Sequence, residues 1–183
     1  MTPNENLAAT PAPSPSQTSD KLVLLASSSP RRQELIRSLG IRYDIRPSNA
    51  DETTEPGLAP EQIVETLSRR KASAVYESLG SDDRRGDAVI VGSDTIVVLD
   101  GNVLGKPRDE GDALRMLSAL QGRPHTVYTG VACLDAATGR CSVAHKATTV
   151  YMKPLGDSRI RRYIATGEPM DKAGDYDNKM YLY

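Results

Sequence analysis

Apolar positions in this chain switch between a period of two and a period near 3.6, and the switches mark out its elements. Leu22 to Leu25 is an apolar run that ends in small polar residues, and Pro30 opens a helix-like pattern after it. Ser28 or Ser29 is the predicted N-cap, with Pro30 at a first helical position where its missing N–H costs nothing. Ile41, Tyr43 and Ile45 alternate with polar residues, as in a half-buried strand. Pro60 opens a second helix running to about Leu79, with a stripe of Ile63, Val64, Leu67, Ala74, Val75 and Leu79. Ala88 to Val91 reads as a short apolar strand that meets Gly92-Ser93-Asp94-Thr95, and Ile96 to Leu99 resumes the apolar run. Asp100-Gly101 signals a hairpin back into Val103 and Leu104. A third helix starts at Asp109 or Glu110, carries Ala113, Leu114, Met116, Leu117 and Leu120, and stops at Gly122. His125 to Leu134 and Arg140 to Tyr151 form a long hairpin around a turn at Ala136–Gly139. Asp157 begins a fourth helix on Ile160, Tyr163 and Ile164, closed by Gly167.

The predicted order is β-α-β-α-β-β-α-β-β-α, an α/β or α+β fold with a mixed sheet flanked by helices. Residues 1–20 are rich in Pro, Ser, Thr and Ala and are expected to be a disordered leader, leaving 21–183 as a single domain. Their composition is not that of a secretory signal, and no apolar run approaches the roughly 18 residues of a membrane span. With no Phe and no Trp, the core must come from Leu, Val, Ile and eight Tyr. A net charge of −1 argues against a general nucleic-acid binder, which carries a basic surplus. Cys133 and Cys141, with His125 and His145, match no zinc spacing, so alternating hairpin positions are the expectation for the cysteines; a reducing cytoplasm fits them.

Three features sit awkwardly in a purely structural reading, and an acidic loop joins them as a candidate. Arg31 and Arg32 lie in the first turn of a helix, where cations oppose the macrodipole; a bound phosphate reverses that sign. Lys71 falls on an apolar stripe, four residues from both Leu67 and Val75, so it must snorkel, pair or face a cleft. Asp94 stands between two β-branched runs, where burial is costly unless it is paired or metal-bound, a solvated bulge being the plainer alternative. Asp51-Glu52 is an acidic pair directly after a strand, where site residues often sit, a solvated loop being the plainer alternative. The proposed hairpin brings Asp94 near Lys106, a carboxylate for water or metal beside a cation for phosphate. No G-x-G-x-x-G or G-x-x-x-x-G-K-[ST] occurs, so neither a dinucleotide fold nor a P-loop is indicated.

These residues, taken together, resemble the Maf (septum-formation) family of nucleoside triphosphate pyrophosphatases. The resemblance is carried by Ala26-Ser27-Ser28-Ser29-Pro30-Arg31-Arg32, Asp51-Glu52-Thr53, Lys71, Gly92-Ser93-Asp94-Thr95, Leu104-Gly105-Lys106-Pro107-Arg108-Asp109, Tyr128-Thr129-Gly130-Val131 and Glu168-Pro169-Met170-Asp171-Lys172-Ala173-Gly174. It implies an elongated mixed sheet in the Maf/inosine-triphosphatase-like fold, with two lobes around a nucleotide cleft. It implies hydrolysis between the α and β phosphates, to a monophosphate and pyrophosphate, with Mg²⁺ or Mn²⁺ as cofactor and a homodimer as assembly. Asp94 is then the base or a metal ligand, and Glu52 helps hold metal. Ser27, Arg31, Arg32, Lys71 and Lys106 approach the phosphates, and Thr95 contributes to the substrate site. Arg31, Thr95 and Asp171-Lys172-Ala173-Gly174 resemble the branch that takes dTTP and UTP rather than 7-methyl-GTP.

The chain departs from the family pattern after Gly174. The family's A-Y-G-I-Q-G, closing strands and final helix have no counterpart in Asp175–Tyr183, and neither does the glutamine associated with base choice. The second expectation is therefore a non-catalytic nucleotide-binding or cell-division regulatory protein that keeps the phosphate site without turnover.

Overall fold

The computed structural model describes residues 21–81 and 86–167. The leader 1–20, part of the charged loop at 80–87, the Glu168–Gly174 motif and the stretch to Tyr183 lie outside the described residues.

The elements follow the predicted order. They are β1 (Leu22–Leu25), α1 (Pro30–Ser38), β2 (Tyr43–Ile45), α2 (Pro60–Ser78), β3 (Ala88–Leu99) and β4 (Asn102–Leu104). α3 (Glu110–Leu120), β5 (Pro124–Asp135), β6 (Cys141–Tyr151) and α4 (Asp157–Ile164) complete the described fold. The strands form one mixed six-stranded sheet in the order β2-β1-β3-β5-β6, with β4 also on β3. β1 runs parallel to both β2 and β3, as the helical crossovers between them require. The β3–β4, β3–β5 and β5–β6 pairs are antiparallel. No helix among the described residues is long and apolar enough to cross a membrane.

One expectation is corrected. Ala88–Val91 and Ile96–Leu99 are not separate apolar runs around a bulge; they are the ends of one 12-residue strand. β5 holds it in unbroken register from Val89↔Asp135 to Val98↔Thr126, so Ser93, Asp94 and Thr95 are regular strand residues. Long pairing on that side overrides the local polarity of Gly92–Thr95.

Among the described residues, the other side of β3 is covered only at its ends. β1 pairs as far as Leu25↔Val91, and β4 begins at Val97↔Leu104. Between them, from Gly92 to Ile96, no strand of the described residues lies against this edge. Ala26 N–H donates to Val91 O at 2.8 Å, while Ala88 O, on the opposite side, receives Ala136 N–H. Main-chain groups alternate along a strand, so those of Ser93 and Thr95 point into the gap.

Packing divides along the same line. One cluster joins Leu24, Ala72, Val75, Leu79, Ile90 and Leu134 beneath the β1 end. Another joins Val97, Leu99, Leu117, Leu120, Ile160 and Tyr163 beneath the β4 end. Val64, Ile96 and Val98 pack between α2 and the sheet. The tyrosines contribute less than the composition suggested: among described residues only Tyr163 is a buried tyrosine, and Tyr151 is 71% exposed.

α2 lies unusually close to the sheet because two glycines allow it. A Cβ at Gly92 would stand 2.2 Å from Ser68 O, and one at Gly130 would stand 2.3 Å from Val64 O. α1 differs: it buries no residue, and Leu35 and Leu39 are exposed.

Candidate active site

The chain leaves β1 at the lower end of the gap. Ser27, buried there, accepts from Ser29 N–H at 3.2 Å and from Arg32 Nη1 at 3.4 Å. Ser29 takes the N-cap position of α1, but its side chain makes no capping bond. The turn is organised around the Ser27 hydroxyl instead. Arg32 Nη2 reaches across to Thr95 Oγ1 on β3 at 3.3 Å. Thr95 in turn meets Thr129 Oγ1 at 3.2 Å, its register partner on β5. Burial pushes the Arg32 guanidinium down, and nearby Asp94 opposes this by favouring the charged form. Arg31 is exposed and close enough to Arg32 for their like charges to repel.

On the other side of the pleat, Asp94 faces α2. Lys71 does not snorkel. Its Nζ lies 2.6 Å from Asp94 Oδ1 and 2.8 Å from Glu52 Oε1, and its side chain is 11% exposed. The Asp94 side chain is 12% exposed, while that of Glu52 opens to solvent. The hydrogen bond from Lys71 holds Glu52 below the usual carboxylate range, against some desolvation, and Lys106 and Arg32 add to the effect through space.

The loop bearing Glu52 is fixed at both sides of that residue. Asp51 accepts from Thr53 N–H at 2.9 Å and from Thr53 Oγ1 at 2.6 Å. Arg70, next to Lys71 on α2, donates to Thr53 O. One helix turn thus supplies both the ammonium between the carboxylates and the guanidinium that holds their loop.

The hairpin inference about Asp94 and Lys106 changes in detail. Asp94 takes Lys71 as its ion-pair partner, and Lys106 is exposed beyond the end of β4, acting on Glu52 across space. The cysteines occupy hairpin positions as expected, with Leu134↔Cys141 and Cys133↔Ser142 as register pairs. Those pairs put the two thiols on opposite faces. His145 Nδ1 meets Glu65 Oε1 at 2.7 Å.

Sequence reasoning gave no individual role to Thr129, Arg70 or Asp112. Thr129 stood in a quoted motif, but its value comes from lying opposite Thr95 in register. Nothing in the spacing of Arg70 separates it from an ordinary exposed helix arginine.

Glu52 and Asp94, which meet at Lys71 Nζ, are the carboxylates that could hold a cation. Among the described residues no group of three or more His, Cys, Asp or Glu gathers for a metal. Two carboxylates converging on one cationic atom suit Mg²⁺ or Mn²⁺, ions that commonly take one or two protein carboxylates and draw further oxygens from phosphate and water. They do not suit a metal that needs an all-protein cage.

The fold and site define an α/β protein whose cations and carboxylates interleave along the stretch of β3 that the described strands leave uncovered on one side. Its fold is similar to that of the Staphylococcus aureus Ham1 protein, with a TM-score of 0.50 over 75% of this chain and 73% of that one, at 12% identity. The Maf family model, described as Maf-like protein, matches residues 22–181, and the chain belongs to that family. The dTTP/UTP pyrophosphatase of Pelotomaculum thermopropionicum is 52% identical over 156 residues, 85% of this chain and 78% of the relative. Those of Desulforamulus reducens and Caldicellulosiruptor saccharolyticus are 47% and 46% identical, over 84% and 85% of this chain and 78% and 77% of theirs.

Proposed function

We propose that this protein is a nucleoside triphosphate pyrophosphatase that hydrolyses dTTP and UTP to the monophosphate and pyrophosphate. The observation that carries the reading is Lys71 held between Asp94 and Glu52 at the open stretch of β3, with Arg32 bound to Thr95 beside it. A triphosphate spreads its charge over many oxygens, and Arg31, Arg32, Lys71 and Lys106 are distributed to meet them, with Ser27 and Thr95 as neutral partners. Asp94 accepts the proton of the attacking water, and the contact with Lys71 orients its carboxylate for that role. The water's oxygen joins phosphorus as the α–β anhydride bond breaks, and the leaving phosphate oxygen departs with the pyrophosphate. Glu52 and Asp94 would hold the divalent cation, whose chemistry is to neutralise phosphate oxygens as charge develops. With nucleoside triphosphates as its substrates, the enzyme is proposed to work in the cytoplasm. The preference for dTTP and UTP rests on the naming of the relatives together with Arg31 and Thr95.

The test is pyrophosphate release from dTTP, UTP, CTP and 7-methyl-GTP with Mg²⁺ or Mn²⁺, wild type beside Asp94→Asn. Turnover of dTTP and UTP that falls by about 10²–10⁴-fold in the variant, the usual worth of a positioned base, supports the reading. A folded wild type with no turnover overturns it and leaves nucleotide binding without catalysis. Equal turnover in Asp94→Asn moves the base to another residue.

A further inference from the structure

Lys106 is carried by a short segment between β4 and α3, and that segment is tied down more firmly than helix formation requires. Pro107, next to it, is buried. α3 is already capped, because Asp109 Oδ1 accepts from Asp112 N–H at 2.7 Å. Asp112, in the first turn, has a side chain only 5% exposed, and that side chain reaches back past the cap. Its Oδ2 accepts from both the main-chain N–H and Nε of Arg108, each at 3.2 Å. Its Oδ1 accepts from Arg115 Nε at 3.1 Å and Nη2 at 2.6 Å. An acidic side chain at this third helical position ordinarily reaches back to the main-chain N–H of the cap residue itself; that of Asp112 passes Asp109 and takes the N–H of Arg108. Here one carboxylate has four donors, and one of them is the backbone two residues after Lys106.

We propose that Asp112 is a positioning residue for Lys106. It clamps the Lys106-Pro107-Arg108 turn so that the Lys106 ammonium stays on the phosphate side of the cleft, and Arg115 holds the clamp from the helix. The clamp stays charged at working pH, since hydrogen bonds from Arg115 and Arg108 hold the Asp112 carboxyl down to about 2. The inference rests on the phosphate role given to Lys106 above.

The experiment is a double-mutant cycle on steady-state dTTP hydrolysis, with Asp112→Asn, Lys106→Ala and the double variant, and thermal melts of each. Alone, Asp112→Asn is expected to lower kcat/KM about tenfold, mostly through KM, as loss of oriented ground-state contacts does. In the Lys106→Ala background the same change should alter kcat/KM less than about twofold, because the group it positions is gone. Arg115→Met, which removes half the clamp from an exposed position, should show a smaller effect of the same sign and the same disappearance. An equal loss in both backgrounds makes Asp112 merely structural and overturns the proposal, as does no loss at all. If Lys106→Ala itself leaves kcat/KM unchanged, the failure lies with the role of Lys106 and not with the clamp. If Asp112→Asn does not fold, the Arg115→Met pair decides between the same outcomes.

Discussion

Lys71 is the residue whose environment departs most from its sequence neighbourhood. An ammonium on the buried side of a helix is tolerable only because two carboxylates meet it, and they come from separate segments, β3 and the loop after β2. Removing it leaves the Asp94 carboxylate buried without its partner. Lys71→Met is therefore expected to cost about 3–5 kcal/mol, read by urea denaturation, while Lys71→Met with Asp94→Leu recovers most of that loss because the charge goes too. Both variants should be inactive. Asp112 makes the second prediction at this scale. Its carboxyl sits near 2 in the folded chain against an ordinary 3.8, so it contributes stability above about pH 4 that disappears as the pH falls through 2. The difference in Tm between wild type and Asp112→Asn should be constant from pH 7 to about 4 and then narrow toward pH 2, as followed by circular dichroism.

At the scale of elements, α2 sets the geometry of the site. It brings Lys71 and Arg70 to the Glu52 loop, and it sits close to β3 and β5 because Gly92 and Gly130 have no side chain in the way. Gly130 is also the register partner of Asp94. A methyl at Gly130 would meet the backbone of Val64, which has no rotamer with which to yield. Gly130→Ala should destabilise by about 1–3 kcal/mol as an overpacking change. By lifting α2 it should also reduce kcat, although Gly130 touches no proposed substrate group; melts and dTTP turnover on the same preparation check both. Periodicity made these elements legible: Leu22–Leu25 matched to the residue, and Pro60 and Asp109 marked two helix starts. It failed at β3, where Gly92-Ser93-Asp94-Thr95 looked like an interruption. Strand character there is imposed by ten register partners on β5, information held some forty residues away. The same distance explains the site. Arg32, Lys71 and Asp94 were visible because each is out of place locally, whereas Thr129 and Arg70 look ordinary until the sheet and helix bring them to Thr95 and the Glu52 loop.

At the scale of the molecule, the described sheet is continuous on the β5 side of β3 and discontinuous on the other. Each end has its own apolar cluster, with β1 and α2 at one and β4, α3 and α4 at the other. The candidate site lies where neither of these ends supplies a strand. The family resemblance implies two lobes; the described residues show a sheet whose pairing on one side of β3 is interrupted between β1 and β4. That interruption was not legible in the sequence, since it depends on where β1 stops and β4 begins against a third strand.

The half-covered strand also sets a pattern of solvent exchange. Gly92, Asp94 and Ile96 turn their amides toward β5, while Ser93 and Thr95 turn theirs to the open side. Neighbouring residues of one regular strand should therefore trade their amide protons with deuterium at very different rates, with those of Ser93 and Thr95 fast and that of Asp94 slow. A triphosphate seated in the cleft should slow the two fast amides and leave the slow one unchanged. Residue-resolved exchange with and without a non-hydrolysable dTTP analogue would show alternate positions of a single strand responding to the ligand; uniform protection along β3 would mean that the ligand does not lie against this edge.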